Sequence, residues 1–180
     1  EKIMQAKVER RQEPAIVTVD NYFGVKGVGT VVLGMVKSGS VKQYDRLKCY
    51  PLGKEVVVKS MQSQDKDVKE TEPGQRVGLA LKDIEADELK RGYVLSGKNI
   101  ECKKELSVDV SKSRYSKFEL APGKKLMINI GLQVVTADIK KADGNSLDLV
   151  LDNPIAVYEE KCMLAAPDSM PRIIGSGRVK

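Results

Sequence analysis

The stretch from Val25 to Val41, VKGVGTVVLGMVKSGSV, constrains this chain more than any other. Gly27 and Gly29 precede an extended apolar run, Gly34 interrupts it, and Gly39 ends it. A strand has a side-chain period of two. Val31, Leu33 and Met35 therefore share one face, and Val32, Gly34 and Val36 share the other. A glycine in mid-strand removes a side chain where a bend, a bulge or a close backbone approach is needed. Ser38-Gly39 is a turn signal, and Val41 opens the next extended run.

The same grammar repeats along the chain. Short runs read as strands at Ala15–Val19, Arg46–Tyr50, Glu55–Met61, Arg76–Leu81 and Tyr93–Leu95. Further runs follow at Leu106–Val110, Lys125–Ile130, Val134–Ile139, Leu147–Leu151, Ile155–Tyr158, Cys162–Ala166 and Arg172–Val179. Pro51-Leu52-Gly53-Lys54, Pro73-Gly74, Pro122-Gly123, Asp143-Gly144-Asn145 and Asn153-Pro154 supply turns. Asp83–Gly92 reads as a short helical turn, capped by Asp87 and ended by Gly92. Many short strands with frequent turn signals predict an all-β chain. The small and polar residues Ser96-Gly97-Lys98-Asn99 follow a complete set of strands and mark a boundary. The expectation is two consecutive small β-barrels over residues 14–98 and 99–180, after a charged lead-in over 1–13. Closed barrels also leave no open sheet edges.

Composition removes several classes of function. With no histidine among 180 residues, the chain cannot build a Ser/His/Asp triad, a Cys/His dyad or a histidine-ligated metal site. Cys49, Cys102 and Cys162 are odd in number and lack zinc spacing, so no metal site is expected, and a reducing, cytoplasmic setting is. No apolar run approaches the ~18 residues of a membrane helix, so no membrane partner is expected. The 31 Lys+Arg against 25 Asp+Glu leave a net charge of +6. That is compatible with weak attraction to nucleic acid and equally with a solvated basic surface.

Gly27-Val28-Gly29-Thr30-Val31-Val32-Leu33-Gly34, then Val36 and Ser38-Gly39, resembles the opening of domain II of the translational GTPases. The likeness is greatest to the elongation factor Tu and selenocysteine-specific elongation factor families. Tyr44-Asp45-Arg46-Leu47, Val58–Gln62, Pro73–Leu81 and the segment from Ile84 to Leu95 resemble later parts of the same domain, in the same order. Pro122-Gly123, Ile128–Gly131, Asn153–Val157 and Arg172–Val179 resemble domain III. No Gly-x-x-x-x-Gly-Lys-Ser/Thr loop is present, so GTP binding and hydrolysis are not expected of these residues, and the chain is not expected to be an enzyme. GTP and Mg would belong to a GTPase domain upstream or on a separate chain.

The resemblance implies a pocket for the aminoacyl acceptor end of transfer RNA, formed by Asp20, Phe23, Val25, Gly27, Thr30, Gln75 and Arg76. Phe23 either stacks on a terminal adenine or packs in the core. Gln75 departs from the acidic residue usual at that place in the family. Arg76 resembles the selenocysteine-specific branch, whose pocket favours a negatively charged aminoacyl group, as a guanidinium would. Lys112, Arg114 and Lys117 lie near Tyr115 and Phe118, and basic charge among aromatics is a mild signal for phosphate contacts. The implied partners are aminoacyl-tRNA, the ribosome and a GTPase domain. The alternative is a stand-alone relative without a G domain that acts as a protein-interaction module on the ribosome or on another factor.

Overall fold

A computed structural model describes residues 13–180, so the lead-in expected over residues 1–13 lies almost entirely outside the described residues. The first half contains β1 (Ile16–Val25), β2 (Gly29–Ser38), β3 (Arg46–Tyr50), β4 (Lys54–Ser63), β5 (Lys66–Val68), β6 (Arg76–Lys82) and β7 (Val94–Ser96). Pairing runs β3-β7-β1-β2-β6-β4 and returns from β4 to β3, closing a six-stranded barrel with β5 added beside β4. The second half contains β8 (Cys102–Lys112), β9 (Lys125–Ile130), β10 (Gln133–Asp143), β11 (Ser146–Ala156), β12 (Lys161–Ala165) and β13 (Ile173–Val179). These close in the order β10-β11-β8-β13-β12-β9. The fold is the expected all-β pair of barrels, and none of the described residues forms an α-helix.

Alternation builds both cores. On β2, Thr30, Val32, Gly34 and Val36 point inward, while Val31, Leu33 and Met35 face out. Val17, Val19, Val56, Val58, Leu79 and Leu81 complete the first core. Leu106, Val108, Ile128, Ile139, Leu147 and Leu149 are central to the second. Each such side chain removed from water contributes about 1.5–3 kcal/mol. Gly34 serves close backbone approach: a Cβ there would collide with the Thr18 carbonyl oxygen on β1. Just beyond, the pairing slips at Asp20, between Val19 and Asn21.

Three local readings need correction. The helical segment over 83–92 shrinks to a 3-10 turn at Ala86–Glu88. Its start is held by the Glu88 carboxylate, which accepts from Glu85 N–H at 2.8 Å, and not by Asp87. Ile84 and Leu89 are buried against the first barrel, and that demand overrides helical continuation. Asn153-Pro154 lies inside β11 and separates no strands. The extra residues are absorbed where the pairing with β8 shifts between Val150 and Ile155. β1 runs on to Val25, well past the expected end at Val19, because Asn21–Val25 pairs with the start of β2.

The barrels meet through Ile16, Tyr50, Val94, Ile100 and Ala156, with Tyr158 packed alongside. Gln133 is buried near this junction. Its Nε2 donates to Ala156 O at 2.8 Å and its Oε1 accepts from Ala156 N at 2.9 Å.

The three cysteines are free, with Cys49 and Cys162 buried and Cys102 exposed. Burial pushes the Cys49 thiol up to about 12 and the Cys162 thiol up to about 11. Because the thiolate is the reactive form, a chromogenic disulfide reagent at neutral pH should label Cys102 alone in the folded protein and all three after denaturation. The raised Cys49 value also sets a sign. Its contribution is complete below the unfolded value of 9.0 and is lost as pH climbs toward about 12, so stability should fall through that alkaline window.

Candidate acceptor-end surface

Cross-strand register assembles an apolar outer face on the first barrel. Phe23 stands opposite Val31, and Asn21 opposite Leu33. On the other side of β2, Val31 meets Ala80, Leu33 meets Gly78 and Met35 meets Arg76. Phe23 and Leu33 are each 41% exposed, and Met35 and Val25 are also exposed. Phe23 therefore does not pack in the core. Small Gly78 leaves room above it, and the Leu33 side chain lies over that space. Exposed apolar side chains gathered on neighbouring strands, unlike scattered ones, mark an interaction surface.

One edge of this face carries charge. The slip at Asp20 leaves its carboxylate between two arginines. Asp20 Oδ2 lies 3.3 Å from Arg76 Nη2, and Asp20 Oδ1 lies 2.9 Å from Arg91 Nη2. Arg91 Nε also donates to Oδ1 at 3.0 Å. Two guanidinium groups on one carboxylate leave a net positive charge. Exposed pairs of this kind add little stability, so the cluster's effect is to orient the two forks beside the apolar face. Arg91 arrives from the segment after the 3-10 turn, a long way from Asp20 in sequence, and nothing local in the sequence signals its membership. Leu33 and Met35 also belong to the surface, and their alternation with core residues on β2 was the available signal.

The other expected pocket residues divide. Gly27, at φ +83°, lies in the turn between β1 and β2, with open space where a Cβ would be. Thr30 is buried, and its hydroxyl donates to Ile84 O at 2.7 Å, so it braces the barrel from inside. Gln75 is turned into its own loop, where its Oε1 accepts from Glu72 N at 2.9 Å. The carboxylate beside Arg76 is that of Asp20.

Lys112, Arg114 and Lys117 lie on the second barrel, at the end of β8 and in the loop after it. The Arg114 guanidinium carbon stands 4.6 Å from the centroid of the exposed Tyr115 ring. This surface is separate from the Asp20–Arg76–Arg91 edge. Among the described residues no group of three or more acidic or cysteine side chains could hold a metal ion, and no helix is long and apolar enough to cross a membrane.

Comparison with known proteins agrees with this architecture. Residues 29–96 match the family model for elongation factor Tu domain 2. An uncharacterized protein of Methanocaldococcus jannaschii is 36% identical over 99% of this chain, which spans 59% of that relative. The selenocysteine-specific elongation factor of the same organism is 40% identical over 67% of this chain, and the match covers 26% of the factor. The chain thus spans less than two thirds of each relative's length. Among solved structures, the bacterial selenocysteine-specific elongation factor superposes with a TM-score of 0.82 at 25% identity, over 98% of this chain and 29% of that one. Translation elongation factor SelB from Methanococcus maripaludis, in complex with a GTP analogue, gives 0.82 at 25% identity, over 99% of this chain and 45% of that one. With the two closed barrels and the ordered motifs, these matches place the chain in the translational GTPase family, as domains II and III of the elongation factor Tu and selenocysteine-specific elongation factor type.

Proposed function

We propose that these two barrels bind the aminoacyl acceptor end of transfer RNA and act with a GTP-binding domain outside these residues, on which GTP and Mg would be held. One observation carries the reading: an outward apolar row of exposed Phe23 and Leu33 with half-buried Val31 between them runs beside a carboxylate bracketed by Arg76 and Arg91. An aromatic and aliphatic platform accepts a base or ribose by stacking. The guanidinium forks suit a phosphate or an anionic aminoacyl group. The ribosome is the expected site of action, in the cytoplasm.

Fluorescence titration with aminoacylated and deacylated transfer RNA tests this. The acylated form should bind more tightly, and affinity should fall with salt. Stacking is worth ~1–3 kcal/mol per base, so Phe23→Ala should weaken binding by about 5-fold to 150-fold. Arg76→Ala should make the salt slope shallower by about 1. Equal affinity for both forms, unchanged in Phe23→Ala, would refute the reading.

A second reading draws on the uncharacterized relative. This chain spans 59% of it, so the part outside the shared region is shorter than the two barrels. More than half of the Methanococcus maripaludis factor lies outside the same region. That difference favours a G-domain-less paralogue serving as a protein-interaction module. The sequence of the endogenous polypeptide, read by mass spectrometry, separates the two: a Gly-x-x-x-x-Gly-Lys-Ser/Thr loop in it favours the GTPase, and a full-length polypeptide without that loop favours the module.

A further inference from the structure

The first barrel carries a second built surface, on the side away from the acceptor-end face. Around the closed ring, β3 lies three strands from β2 in either direction, so their outer faces are diametrically opposed. Outside β3 and β7, an open cleft of about 410 Å³ is lined by Arg46, Lys48, Glu55, Ser96, Lys98 and Asn99. Lys48 stands between Glu55 on β4 and Ser96 on β7. Arg46 lies two residues earlier on the same strand and hence on the same face. Among the described residues, none of the three cations is in an ion pair. Asn99 accepts the Tyr50 hydroxyl through Oδ1 at 3.3 Å, and its amide nitrogen remains available to donate.

The geometry points to this cleft as a docking site for the phosphodiester backbone of RNA, distinct from the acceptor-end surface and usable at the same time. Residues two apart in a strand stand about 6.8 Å apart, close to the separation of consecutive phosphates along a nucleic-acid chain. Arg46 and Lys48 can therefore each meet one phosphate, with Lys98 beside them from the linker. Glu55 is the one acidic residue of the cleft, and a carboxylate there accepts a ribose 2′-hydroxyl, which DNA lacks. A protein partner fits less well. Leu47 is the cleft's apolar residue and is itself buried, whereas protein interfaces centre on apolar and aromatic side chains. Nucleic-acid interfaces are polar and positively charged, as this one is.

Fluorescence anisotropy with a short fluorescein-labelled RNA hairpin, free of any aminoacyl group, tests the site. The combined Arg46→Ala/Lys48→Ala/Lys98→Ala variant should weaken binding about tenfold or more and make the salt slope shallower by about 2. The charge-matched Lys66→Ala/Lys140→Ala/Lys141→Ala variant should bind like the parent, and a blunt-ended hairpin, which offers no single-stranded 3′ end to stack, keeps this result independent of the acceptor-end reading. Glu55→Ala should narrow the preference for RNA over a DNA hairpin of the same sequence. Equal losses in the two triple variants would overturn the proposal by showing diffuse attraction. Displacement of the hairpin by pyrophosphate at matched ionic strength would overturn it too, by assigning the cleft to a small phosphate ligand. So would an unchanged affinity in the first triple variant, with circular dichroism confirming that each variant is folded.

Discussion

Gly92→Ala is expected to destabilise the protein by about 3 kcal/mol, with the loss concentrated where the barrels meet. Gly92 has φ +91°, a conformation that costs an L-residue roughly 1–2 kcal/mol. Its position adds a steric term. A Cβ would lie 2.6 Å from Leu132 O and 2.7 Å from the Gln133 backbone, atoms of the second barrel that no side-chain rotation can move aside. The barrels would have to separate or tilt. Calorimetry should show a lower melting temperature and a broader or split transition, since each barrel keeps its own core. Gly97→Ala is the control. Its nearest neighbour to a new Cβ is 3.7 Å away and its φ is not left-handed, so it should melt near the parent temperature. An unchanged melt for Gly92→Ala would contradict the packing at this junction.

Gln133→Leu is expected to cost about 3 kcal/mol by a different route. The leucine fills similar space but leaves both Ala156 N–H and Ala156 C=O without the partners that Gln133 supplies. Ala156 is fully buried, and each unsatisfied buried group costs about 1–3 kcal/mol. Gln133→Glu separates the two bonds. As a carboxylate it can still accept from Ala156 N–H but cannot donate to Ala156 O. Protonation restores a donor, so this variant should regain stability relative to the parent as pH falls. Denaturant midpoints measured across the acidic range check both statements, and a Gln133→Leu midpoint equal to the parent's would remove Gln133 from the account.

These two sites also show where the sequence stops being legible. The β2 block declared its barrel because alternation and glycine placement are local properties: Val32, Gly34 and Val36 face inward as their spacing required. The same alternation exposed Leu33 and Met35, which extend the candidate surface beyond the pocket residues inferred from resemblance. Arg91 and Gln133 could not be read this way, because each acts on a group brought close only by barrel closure or by strand pairing far along the chain. Asn153-Pro154 misled for a related reason. A proline-containing dipeptide signals a turn, but here a shift in register with β8 absorbs it while β11 continues. Thr30 lies within the most informative stretch, yet its inward position on β2 and its bond to Ile84 O make it a brace of the barrel.

The proposed acceptor-end surface is tested most directly by the spontaneous hydrolysis of the aminoacyl ester of charged transfer RNA with and without saturating protein. Shielding by Phe23, Leu33 and the Asp20–Arg76–Arg91 edge should slow hydrolysis. Phe23→Ala and Arg76→Ala should each give the protection back in part. An ester lifetime that the protein leaves unchanged, under conditions where transfer RNA is bound, would contradict the assignment and move the binding to another surface of the chain.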